Sequence, residues 1–84
     1  MKIPSKLKIG GHTYKVVFKE MEEDCGKADR YKGEIWIDEK LMQSEKEATL
    51  IHEILHILNG GLSEATVDGL SCQLHQVLTD NLLK

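Results

Sequence analysis

The 84-residue chain carries 11 Lys and Arg against 14 Asp and Glu, a net charge of −3. That length allows one core, so a single domain over residues 1–84 is expected, small enough that a bound metal or partner would add needed stability. With the charges mixed and no basic run, nucleic acid is not the expected main partner. The absence of any signal-like or membrane-length apolar stretch points to a cytoplasmic protein with no membrane association.

In chain order, the first half reads as strands. "LKI" and "TYKVVF" carry alternating or β-branched apolar residues around "GGH", where paired glycines suit a hairpin turn and His12 is a turn residue. "EMEEDCGKAD" reads as a solvated acidic loop. In "GEIWIDE", Ile35 and Ile37 share one face, while Glu34, Trp36 and Asp38 share the other. Three antiparallel strands result, or four if "DRY" pairs with "EIWI".

The second half reads as two helices. Ser44 and Glu47 match a capping box, which starts the first helix near Glu45, and "NGG" ends it. Ser63 caps a second helix running to about Asp80, with Val67, Leu70, Leu74, Val77 and Leu78 as its apolar stripe. The expected fold is therefore α+β: a small antiparallel sheet followed by an antiparallel two-helix hairpin. Cys25 and Cys72 form no CxxC and are expected as free thiols, with Cys72 a small buried residue.

"LIHEILHILNGG" places His52, Glu53 and His56 in an apolar run. Residues four apart on a helix lie one above the other, about 6 Å along the axis, so two imidazoles can converge on one zinc ion. Glu53, turned by roughly 100°, misses the ion but can reach a water bound to it. A catalytic zinc takes a third protein ligand, for which Glu64, Asp68, Cys72 and His75 are candidates. The short "NGGLS" link sets the helices antiparallel, so Glu64 faces His56 and can complete the coordination sphere. Asp68, one turn on, faces His52 and can accept a hydrogen bond from its spare ring nitrogen. His75 lies roughly 16 Å beyond Glu64, too far to share the ion, and reads as a surface or partly packed residue.

"HEILH" followed by "EATVD" resembles the H-E-x-x-H plus E-x-x-x-D pattern of gluzincin zinc metallopeptidases, and over residues 30–81 small bacterial and phage members related to the ImmA/IrrE family. The resemblance implies His52, His56 and Glu64 as zinc ligands, Glu53 as general base and acid, and Asp68 as the residue that orients His52. It implies a protein or peptide substrate, extended along a strand bordering the cleft. "EIWI" (Glu34, Ile35, Trp36, Ile37) is the candidate edge, although Trp36 equally fits ordinary sheet packing. The longer metzincin pattern is absent, because Asn59 and Leu62 stand where it has Gly and His. Larger gluzincins stabilise the oxyanion with a Tyr or His after the third ligand. Here Tyr31, a partner protein or a second copy has to fill that role. The alternatives are a non-catalytic zinc module that binds a partner through its edge strand, or a metal-free interaction domain.

Overall fold

The structure is a computed structural model that describes residues 1–81. Four strands, β1 (Lys6–Ile9), β2 (His12–Lys19), β3 (Gly26–Asp29) and β4 (Glu34–Asp38), precede two helices, α1 (Gln43–Leu58) and α2 (Glu64–Asp80). This is the expected α+β order. The sheet, however, is mixed rather than antiparallel. Its order is β1-β2-β4-β3, with β2 and β4 parallel and the two outer pairs antiparallel.

Apolar content explains the placement of β4. Ile35 and Ile37 are completely buried, so the strand that carries them gains most by lying inside the sheet. The polar "GKAD" strand takes the exposed edge instead. The last four residues of the stretch expected as a solvated loop are therefore a strand, and this additional strand begins earlier than "DRY". Gly10 and Gly11, at φ 59° and 83°, supply the left-handed turn between β1 and β2.

Ile9, Tyr14, Ile35, Ile37 and Leu50 form the core between the sheet and α1. The sheet side of α1 meets β1, β3 and β4, while α2 packs against α1 alone. The first helix is thus enclosed as expected, but the second forms an outer layer. Its expected stripe divides accordingly: Val67 is buried, whereas Leu70, Leu74 and Val77 are exposed. Ser63 caps α2 as anticipated, its side chain accepting from Thr66 N. No helix among the described residues is long and apolar enough to cross a membrane.

The start of α1 differs from expectation. Met42 is the N-cap, and its backbone N–H donates to Glu45 Oε1 at 3.0 Å, so the capping carboxylate belongs to Glu45 rather than Glu47. Glu47 is buried and accepts from His75 Nε2 at 2.7 Å and from Gln43 Nε2 at 3.0 Å. Burial pushes the Glu47 carboxyl up, but these hydrogen bonds and the terminal ammonium outweigh it and hold it below its ordinary value. His75 is therefore a clasp between the helices, half-buried at one side of the hairpin.

Candidate metal centre

Leu50 and Ile51 point into the protein interior, and this fixes the rotation of α1. With 3.6 residues per turn, His52 and His56 then emerge along the seam with α2, and Glu53 turns toward β3. The link after α1 is short, so the first turns of α2 come back beside the histidines. Arg30 secures this corner by donating through Nη2 to the carbonyls of His56 and Ile57, at 3.0 and 3.1 Å. A cation is favourable at that C-terminal end of the helix dipole. Sequence reading missed Arg30, whose role depends on a contact 26 residues away.

Three ligand-type atoms converge. His52 Nε2 and His56 Nε2 are 3.1 Å apart. Glu64 places Oε2 3.3 Å from His52 Nε2 and Oε1 2.6 Å from His56 Nε2. This trio can hold a metal ion. Ligands bound at about 2.0–2.1 Å around a tetrahedral ion lie about 3.3 Å apart, close to the separations from His52. Asp68 adds a directional argument, because its Oδ1 lies 3.0 Å from His52 Nδ1. At that distance an Nδ1–H of the neutral ring would face the Asp68 carboxylate and leave the Nε2 lone pair toward His56 and Glu64. The three ligand atoms lie close enough together to share one cation.

The sequence-derived set of His52, His56, Glu64 and Asp68 is thus brought together on two helices. The histidines are largely covered, with side chains 16 % and 25 % exposed, whereas the Glu64 side chain is 72 % exposed. The trio sits in a cleft of about 870 Å³ between β3 and the helical hairpin. Loss of the Asp68 charge is expected to loosen the orientation of His52 without removing a ligand. Asp68→Asn should weaken metal affinity by roughly 10- to 100-fold. Competition against a chromophoric chelator measures this, and unchanged affinity would mean that Asp68 is only a surface neighbour.

Glu53 lines the same cleft and is 8 % exposed. Burial pushes its carboxyl above the ordinary value. The His52 and His56 imidazoles pull the other way, and Glu64 and Asp24 add to the rise. Its side chain packs toward Gly26, where an added Cβ would lie 2.5 Å from Thr49 Cγ2, 2.8 Å from the Trp36 carbonyl and 3.5 Å from Glu53 Cγ. Gly26 therefore lets α1 approach β3 closely enough to seat Glu53 in the cleft. Gly26→Ala is expected to cost about 1–3 kcal/mol, the usual range for overpacking, seen as a lower denaturation midpoint. A variant as stable as the parent would show that this contact is loose.

The expected substrate strand requires correction. β4 is paired on both sides, so Glu34, Ile35, Trp36 and Ile37 do not form an edge. Ile35 and Ile37 are core residues, while Glu34 and Trp36 lie on the sheet face away from the helices. The edge bordering the cleft is β3. Asp38 N donates to Cys25 O at 2.7 Å, which makes these two a directly bonded pair. By antiparallel alternation, the backbone N–H and C=O groups of Gly26 and Ala28 then point away from the sheet. Nothing in the sequence marked this short polar strand. Tyr31 is fully exposed and does not line the cleft, whereas Arg30 does. Cys72 is exposed rather than buried and, like the exposed Cys25, lines the cleft. The chain matches no known family model, no curated protein and no solved structure.

Proposed function

We propose that this chain is a minimal zinc-dependent peptidase of the gluzincin type, acting in the cytoplasm on an extended segment of a protein substrate. The observation that carries this reading is the placement of buried Glu53 in the cleft that also holds His52, His56 and Glu64. Two nitrogens and one carboxylate suit zinc, and three protein ligands leave a position open for the reaction. A purely structural zinc module needs the same three ligands but has no use for Glu53.

Zinc held there would supply Lewis-acid chemistry, making a water more acidic and polarising a carbonyl. Asp68 keeps His52 in the tautomer that presents Nε2. Glu53 is the general base, taking a proton from the attacking water onto its carboxylate and passing it to the leaving amine nitrogen. Gly26 and Ala28 offer outward backbone groups on which an extended peptide can align as an added strand. Arg30 is a fixed cation on the cleft wall that can face the developing oxyanion.

The test is cleavage of a diverse peptide pool by the purified protein. Products should vanish after chelation and return when zinc is restored. Cleavage that survives complete chelation would contradict the proposal, as would failure to cleave any member of a broad pool or any protein substrate.

A further inference from the structure

The helices cover one face of the sheet, and the other face gathers lysines that are scattered in the sequence. Paired residues on neighbouring strands share a face. The register sets Lys6 opposite Lys15, Lys8 opposite Thr13, and both Val17 and Lys27 beside Trp36. Lys6, Lys8, Lys15, Lys19 and Lys27 therefore project from the same face as Trp36. Lys32, from the turn between β3 and β4, joins them with its ammonium 5.6 Å from the centre of the Trp36 ring. All six are exposed, and among the described residues none forms an ion pair.

The acidic residues of this face are engaged locally. Glu34 Oε1 accepts from Trp36 Nε1 at 2.8 Å, Asp38 Oδ1 from Lys40 N at 3.1 Å, and Asp29 Oδ1 from Lys32 N at 3.1 Å. Six lysines against three carboxylates leave the face positive, although the whole chain carries −3. Lys6 directly opposite Lys15 is unfavourable for the sheet itself. Folding stability does not explain that pairing.

At the centre stands the chain's single tryptophan, with Lys19 Nζ 3.8 Å and Lys27 Nζ 5.7 Å from its ring centre. An acidic polypeptide would neutralise the lysines but make no use of the ring. A strand with regularly repeating phosphates and flat bases uses both. We propose that this face binds single-stranded nucleic acid, with phosphates on the lysines and a base stacked on Trp36. Lys19 then moves from the ring to a phosphate as the base takes its place. This face lies on the opposite side of the sheet from the metal centre, so the proposal does not depend on the peptidase reading.

Because Trp36 is the only tryptophan, its fluorescence reports directly on the proposed contact. Titration with an oligodeoxythymidylate of about 12 nucleotides should quench the emission substantially, as stacking requires. With three or four phosphates contacted, affinity should fall roughly 20- to 50-fold between 50 and 200 mM salt. The Lys19→Glu, Lys27→Glu double variant should bind at least about 10-fold more weakly while retaining its circular dichroism and zinc content. Anisotropy of a labelled oligonucleotide should show weaker binding by Trp36→Leu with an unchanged salt slope. The proposal is overturned if the oligonucleotide neither quenches nor binds. It is equally overturned if polyglutamate of matching charge, or a DNA duplex of the same length, binds as tightly.

Discussion

Glu53→Gln is expected to abolish hydrolysis while leaving the metal and the fold in place. Glutamine keeps the shape of the side chain, so the packing against Gly26 on β3 survives. What it loses is the ability to accept a proton at neutral pH. If Glu53 shuttles the proton from water to amine, the substitution should lower kcat by about 10²- to 10⁴-fold, the usual contribution of a general base. Zinc content should stay equal to wild type, because Glu53 is not one of the converging ligands. A stability equal to or above that of the parent is also expected, since a neutral amide replaces a carboxyl that burial disfavours in its charged form. Full activity at equal zinc occupancy would remove Glu53 from the chemistry.

His52→Ala is the second large effect, and it acts through metal and stability together. The imidazole presents Nε2 to the ligand cluster and Nδ1 to Asp68, so its removal ends both interactions. The remaining pair, His56 and Glu64, lacks the second nitrogen donor. Wild-type protein held at zinc 1,000-fold above its dissociation constant should gain about 4 kcal/mol. In a domain this small that corresponds to a melting temperature on the order of 20 °C higher than in chelator. His52→Ala should show no such rise. In chelator the two proteins should melt close together, which separates loss of the metal from simple loss of packing.

The helical half of the site was legible because its determinants are local. Three facts of helix geometry place His52, Glu53 and His56: the rise per residue, the period, and the apolar neighbours that must point inward. The short "NGGLS" link leaves α2 no choice but to return beside α1, which carries Glu64 and Asp68 to the histidines. The strand half was less legible, because alternation shows which residues share a face but not which strands become neighbours. The insertion of β4 between β2 and β3 is a long-range pairing, decided by the burial of Ile35 and Ile37. That one choice turned "EIWI" from an edge into an interior strand and handed the cleft to Gly26 and Ala28. It also aligned the dispersed lysines into one face. Glu47 stands at capping-box spacing from Ser44, yet half-buried His75 of the other helix binds it instead.

The most direct measurement is zinc per chain in protein purified without a histidine tag or chelator, compared with His52→Ala and His56→Ala. The His52–His56–Glu64 centre predicts one zinc per wild-type chain and almost none in either variant. Wild-type protein that stays metal-free and gains no thermal stability from added zinc would contradict it. So would variants that keep their zinc.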